Sequence, residues 1–315
     1  MIALAGGVGG AKLADGLARV LGRDLAVIVN TGDDFEHLGL AISPDLDTVM
    51  YTLASLANPQ TGWGLASESW SVLEQIGKLG GPTWFKLGDR DLATHLVRNQ
   101  GLRQGERLTA IVARLCSALG IQCSVLPMSD DPVRTIVQTA EGELSFQDYF
   151  VRLQCAVPVT GFVFRGSDMA RMSIEVEAAL AGGKHDGVIF CPSNPFVSID
   201  PILAVPGIRQ ALAARTVPVV AVAPIINGAA VKGPAAKMMM ELGLEVSPVS
   251  IAAHYRGLID GIVIDDLDAA LAPKLEQHGI AVLVTPTLMR DGADRQKLAE
   301  SCIAFSRRLK GRGRC

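Results

Sequence analysis

The sequence predicts an α/β protein: a Rossmann-like parallel sheet with helices on both faces and an inserted mixed α+β segment. Three observations point there. Six apolar runs, IALA, LAVIVN, GVIFC, VPVVAVA, GIVID and AVLVT, have the length and β-branched content of buried strands. Segments with helical apolar spacing separate or follow most of them, which is the alternation that builds parallel sheets. The first two runs are joined by GGAKLADGLARVLG, one amphipathic helix closing at Gly22, as in a right-handed βαβ unit.

A chain of 315 residues can bury a sizeable core, and 49% hydrophobic, 19% charged and 5% aromatic residues describe a compact protein rather than a disordered one. The reading is one Rossmann-like domain over residues 1–315, with a cleft-forming segment inserted at about 60–165. A net charge of -3 provides no field for a nucleic-acid backbone, although the last ten residues, SRRLKGRGRC, are cationic. No apolar segment reaches the roughly 20 residues that span a bilayer. The cysteines at 116, 123, 155, 191, 302 and 315 show no C-x-x-C pair, so reduced thiols in a cytoplasm are expected, with neither nucleic acid nor membrane as partner.

The first strand runs into Gly6-Gly7-Val8-Gly9-Gly10. A strand ending in glycines before a helix points bare backbone N–H groups at an anion. From Gly7 the dinucleotide pattern G-x-G-x-x-G fails, because Lys12 stands where the third glycine belongs. The triphosphate loop fails as well, because Lys12 is followed by Leu13 and not by Ser or Thr. Gly6, Gly7, Gly9, Gly10 and Lys12 therefore read as a phosphate site of neither standard kind.

After the second strand, NTGDDFEHLGLAISPDLDT holds Asp33, Asp34, Asp45 and Asp47. Asp33 and Asp34 lie about where a Rossmann protein binds ribose, which keeps a nicotinamide enzyme as a competing reading. Ser43 is the expected N-cap of a helix with Pro44 at its first position, and Asp45 can serve the dipole of its first turn. Residues two apart on a helix point roughly 200° from each other, so one of Asp45 and Asp47 is expected to look into the cleft. Acids beside a phosphate loop repel the substrate unless a cation intervenes, so they imply Mg2+, held by Asp34 and Asp47.

In the insertion, Glu141-Gly142 marks a hairpin. WFKLGDRDLATH places Lys86 beside Trp84 and Phe85, which can flank a flat ring, with Asp89 a candidate N-cap and His95 an ordinary helix residue. At the end of the GVIFC strand, Cys191 reads as a small buried residue, and Ser193 and Asn194 form a polar turn able to bond phosphate, ribose or base. Lys232 offers a second phosphate contact at another strand-to-helix junction.

GGVGGAKL, NTGDD, SPDLDTVMYTL, WFKLGDRDLATHLVR, LPMSDDPVRT, FQDYFV, PSNPFVSIDPILAVPGIR and VKGPAAKMM, in that order along essentially the whole chain, resemble the 2-phospho-L-lactate transferase family of coenzyme F-420 biosynthesis. The resemblance implies a magnesium-assisted transferase that takes a phospho-acid joined to GMP through a diphosphate, passes it to the deazaflavin Fo and releases GMP. It also implies that the aspartate ending P-D-L-D and the lysine before L-G-D contact Fo; these are Asp47 and Lys86, with Asp47 orienting or deprotonating the ribityl hydroxyl. No motif distinguishes a phospholactyl, phosphoenolpyruvyl or phosphoglyceryl group. The partners implied are small molecules, and such folds commonly form homodimers. The competing classes are an NAD(P)-dependent oxidoreductase and a guanine-nucleotide-binding protein without catalysis.

Overall fold

The computed structural model describes residues 1–181 and 185–312, so Cys315 and the end of the cationic tail lie outside the described residues. The chain begins with β1 (Ile2–Ala5), α1 (Gly7–Leu21) and β2 (Ala26–Val29). A hairpin of β3 (Phe35–His37) and β4 (Leu40–Ile42) leads into α2 (Pro44–Leu53). Then come α3 (Ser71–Lys78), α4 (Asp89–Arg103), α5 (Leu108–Ala118) and β5 (Ser124–Pro127). The strands β6 (Arg134–Thr139), β7 (Gly142–Ser145) and β8 (Val159–Arg165) form an antiparallel sheet in the order β7-β6-β8. After α6 (Ile174–Ala181), the chain continues through β9 (Val188–Phe190), α7 (Asp200–Ala204), α8 (Ile208–Ala213) and β10 (Val219–Val222). The remaining elements are the hairpin β11 (Ile225–Ile226) and β12 (Ala229–Ala230), α9 (Ala235–Glu241), α10 (Pro248–His254), β13 (Gly261–Ile264), α11 (Ala272–Glu276), β14 (Ala281–Val284) and α12 (Gly292–Arg312).

Seven strands make the main sheet in the order β14-β13-β10-β9-β1-β2-β5, every neighbouring pair parallel. All six apolar runs are in it. The seventh strand, β5, comes from inside the stretch expected to be a continuous insertion, and its partner is β2. That stretch therefore divides. Its helices lead back to the main sheet before β6 to β8 build a separate one, and β6 turns into β7 with Thr139 opposite Gly142, the hairpin the sequence marks.

Alternate residues of the central strands enter two cores. Ile2, Leu4, Ile28, Phe190 and Ile262 face one layer, and Ala3, Ala5, Val27, Ile189 and Val263 the other. Burial on both faces explains why these strands read as unbroken apolar runs. On the second face α1 lies against α12; Arg295 bonds Asp15 at 3.0 Å, and the Lys12 ammonium reaches the Met289 carbonyl at 2.8 Å. Among the described residues, no helix is long and apolar enough to cross a membrane.

Strand order sets the site. From β1 the sheet grows through β2 in one direction and through β9 in the other, so the loops after β1 and β9 part above the sheet and leave a crevice at the strands' carboxyl ends.

Candidate active site

The chain turns out of β1 at Gly7, whose φ of 61° lies in the left-handed region that favours glycine. Gly6, Gly9 and Gly10 line the same turn, against the loop after β9. Ser193 braces that contact: its hydroxyl accepts the Gly6 N–H at 3.1 Å and donates to the Gly6 carbonyl at 2.9 Å. A Cβ on Gly9 would collide with the Pro192 carbonyl. Asn194 also serves the scaffold. Its side-chain oxygen accepts the Phe196 N–H at 3.0 Å, capping the helical turn Pro195–Ile199, and its amide points to the Met238 sulfur at 3.3 Å. Cys191, just before, is buried, and burial pushes its thiol up.

The acids converge on the crevice from the opposite side. Asp45 Oδ1 accepts the Gly7 N–H at 2.6 Å, so a carboxylate sits at the start of α1. Asn30, ending β2, donates to Asp45 Oδ2 at 2.9 Å, to Asp33 Oδ1 at 3.2 Å and to the Val197 carbonyl at 3.1 Å. The Ser43 hydroxyl donates to Asp34 Oδ2 at 2.8 Å and makes no side-chain cap on α2. Both Asp45 and Asp47 are buried, Asp45 against the glycine loop and Asp47 against α4.

Burial raises all three clustered carboxyls. Asp33 is pushed well up by burial and then by the charges of Asp45 and Asp34. Burial lifts Asp34 to about 7 against the pull of Arg134, Ser43 and Arg98, and lifts Asp45 to about 6 against hydrogen bonds from Asn30 and Gly7. In the unfolded chain these groups ionise near the ordinary 3.8, so the fold holds extra protons. Their stabilisation is full below about pH 4 and is lost as pH rises through the folded values. Chelator-treated protein is therefore expected to unfold at a higher temperature at about pH 5 than at about pH 8, with a smaller difference in Asp34→Asn. A melting temperature independent of pH across that window, in both proteins, contradicts this.

Asp47 faces the other way, into α4. Both its oxygens take the guanidinium of the wholly buried Arg98, Nη1 at 3.1 Å from Oδ2 and Nη2 on Oδ1. Arg98 Nη1 also lies 3.0 Å from His95 Nδ1, and His95 Nε2 is 3.4 Å from Asp91 Oδ1. Tyr51 donates its hydroxyl to Asp91 at 2.6 Å. His95, read as an ordinary helix residue, is thus the buried link between two carboxylates. Asp89 is not the N-cap of α4, a place held by Gly88. It accepts the backbone N–H groups of Ser71 and Val72 at 3.0 Å each, while Glu68 accepts those of Arg90 and Asp91 at 2.7 and 3.1 Å.

Two groups of donor atoms could face a divalent cation. Atoms of Asp47, Asp91 and His95 lie within 4.8 Å of one another, but Arg98 already supplies positive charge to Asp47. Asp34 fits a hard cation better. Its Oδ1 is buried without a hydrogen-bond partner, beside the Asp33 carboxyl and within electrostatic reach of Asp47.

Four rings wall one end. Phe35 and His37 of β3 pack on Trp84 and Phe85, with centroids from 4.9 to 6.1 Å apart. Lys86 follows them, exposed and without a hydrogen bond or ion pair among the described residues. At the other end Lys12 is half-buried, and burial, then Arg295 and Lys232, lower its pKa. Lys232 is exposed and bonds the Thr61 carbonyl at 2.7 Å. The structure thus brings together the glycine loop, Ser193, Asp34 and Asp47, with Lys12 and Lys232 paired on one flank and Lys86 on the other. Asn30, Tyr51, Asp91 and Arg98 complete the site; all four stand in the motifs quoted above, but nothing in the spacing of those motifs marks the buried contacts they make.

Residues 1–288 match the family model described as 2-phospho-L-lactate transferase CofD. The chain is 42% identical over 318 residues to a phosphoenolpyruvate transferase of Kitasatospora aureofaciens, covering 98% of each. It is 40% identical over 304 residues to a 2-phospho-L-lactate transferase of Methanosarcina mazei, covering 96% of this chain and 99% of that one. The crystal structure of protein BH3568 from Bacillus halodurans shares the fold, with a TM-score of 0.63 over 96% of this chain and 98% of that one at 16% identity.

Proposed function

The chain belongs to the 2-phospho-L-lactate transferase CofD family, and from that premise we propose that it moves a phospho-acid from a guanosine diphosphate-linked donor to the ribityl hydroxyl of Fo, releasing GMP. The observation that carries this reading is the polarity of the crevice. A glycine loop at the switch point has cations on one flank and buried carboxylates with an aromatic wall on the other. The donor's diphosphate lies over Val8 to Gly10, its charge met by Lys12, Lys232 and the loop N–H groups beyond those of Gly6 and Gly7, which Ser193 and Asp45 already hold. The acceptor ring lies against Trp84 and Phe85, with Lys86 at its polar edge. We place the reaction in the cytoplasm, in keeping with five unpaired thiols among the described residues.

The hydroxyl oxygen attacks the phosphorus bearing the acid, a new P–O bond forms, the bond to the GMP phosphate breaks, and GMP leaves with the electron pair. Asp47, locked by Arg98, orients that hydroxyl or takes its proton. Asp34, whose Oδ1 is buried without a partner, would hold a magnesium ion, whereas both oxygens of Asp47 are taken by Arg98; when bound, the ion would neutralise diphosphate charge. Loop N–H groups stabilise the charge that develops on the transferred phosphoryl group.

Incubation with Fo, magnesium and each guanylated phospho-acid, with products weighed by mass spectrometry, tests the assignment. An Fo adduct heavier by one phospho-acid, together with GMP, is expected; calorimetric binding of NAD in place of GDP sinks the reading. Lys86→Met is expected to weaken Fo binding ten- to hundredfold, the worth of one charge-assisted hydrogen bond of about 1.5–3 kcal/mol, and to leave GDP affinity unchanged. Fluorescence titration of Fo checks it, and equal losses for both ligands would make Lys86 structural.

A further inference from the structure

Arg134 opens β6, and the residue after it, Thr135, packs its hydroxyl on the acid-bearing loop: a Cβ on Gly32 would lie 2.7 Å from Thr135 Oγ1. The Thr135 N–H also donates to the Gly32 carbonyl at 2.5 Å, so the start of β6 is fixed against the acid-bearing loop; the Arg134 side chain leaves the strand on the opposite face from that of Thr135, and its charge still reaches both Asp33 and Asp34. It is half-buried, and its one hydrogen bond among the described residues goes to the neighbouring Val133 carbonyl at 2.8 Å. The arginines around it behave otherwise. Arg107 reaches Asp130 at 3.0 Å and Glu175 at 2.7 Å, Arg165 reaches Glu143 at 2.7 Å, and Arg171 reaches Asp131 at 3.9 Å. Arg98 shows the form a counter-ion takes here, both oxygens of Asp47 in its fork. Arg134 pairs with neither nearby acid and keeps the rest of its five donors.

On the transferase reading, the donor carries two anionic parts. Its diphosphate lies on the glycine loop toward Lys12 and Lys232, which sends the acid toward Asp33, Asp34 and Asp45. A phospholactyl, phosphoenolpyruvyl or phosphoglyceryl group carries a carboxylate, which those carboxyls would repel unless a fixed cation received it. A planar guanidinium matches a carboxylate through two parallel N–H bonds. We propose that Arg134 binds the carboxylate of the transferred phospho-acid and so makes the donor site specific for an acid; this rests on the transferase reading above.

The test compares three ligands on wild type, Arg134→Gln and Arg134→Lys, all in the presence of Fo: enolpyruvyl-diphospho-guanosine, its ethyl counterpart without the carboxylate, and GDP. Arg134→Gln is expected to weaken the carboxylated donor ten- to hundredfold and to leave the ethyl compound and GDP unchanged, with Arg134→Lys between. Unchanged affinity for the carboxylated donor overturns the proposal, as does an equal loss for all three ligands in both variants. Wild type that binds GDP yet forms no product from Fo and any guanylated acid overturns the transferase reading and the proposal with it. Product from wild type combined with indifference of Arg134→Gln overturns the proposal alone.

Discussion

Replacing Asp47 with Asn is expected to abolish phospho-acid transfer and to lower unfolding stability by about 3–5 kcal/mol, the cost of leaving a buried cation without its counter-charge. Arg98 is wholly buried, and both oxygens of Asp47 hold it. An asparagine of the same shape can accept from one arm of the fork but brings no charge. The two losses separate in a second variant, Asp47→Leu combined with Arg98→Met. Removing the pair together replaces it with apolar volume, which is often neutral or stabilising, so urea unfolding is expected to recover toward wild type while transfer stays absent. Recovery of transfer along with stability would show that Asp47 is only a structural partner of Arg98.

Gly9→Ala is expected to reduce turnover about a hundredfold or more, the usual consequence of a shift near 1 Å in a positioned substrate. The new methyl meets the Pro192 carbonyl, a backbone atom on the other side of the switch-point crevice, and cannot be relieved by a side-chain rotation. The loops after β1 and β9 must move apart, which overpacking data put at about 1–3 kcal/mol. On the proposed placement of the donor over the loop and the acceptor against the aromatic wall, the Michaelis constant for the guanylated donor is expected to rise while Fo affinity measured by fluorescence holds. Full activity with unchanged constants would mean that the β9 loop yields without cost.

Much of the fold is legible in residues that act locally. The six apolar runs are strands because burial on both faces leaves them no polar alternation, and Glu141-Gly142 marks its turn because the hairpin geometry demands it. β5 escaped this reading: four residues ending in Pro127, behind α5 and in a stretch of changed pattern, carry too little periodicity to separate an edge strand from a loop. The acids of the site were visible as acids, yet the partner that decides the state of Asp47 stands 51 positions away on α4, and nothing local joins the two. Ser193 and Asn194 carry a local signal of another kind. An Asn before Pro at the start of a helical turn is a capping signal, and Asn194 caps the turn Pro195–Ile199.

The packing of α1 on α12 fixes when, during synthesis, the phosphate loop can be completed. Lys12 and Asp15, on the helix that presents the loop, are held by Met289 and Arg295, partners 277 and 280 positions later in the chain. The first strand and helix to leave the ribosome therefore wait for nearly the last. Until then one flank of α1 is uncovered, and the loop's helix lacks the support that aims it at the crevice. Contacts this remote in sequence form late, after the loop-closure entropy of the intervening chain has been overcome. A nascent chain that stalls before α12 emerges has most of its sheet while α1 still lacks the contacts of Lys12 and Asp15 that brace it.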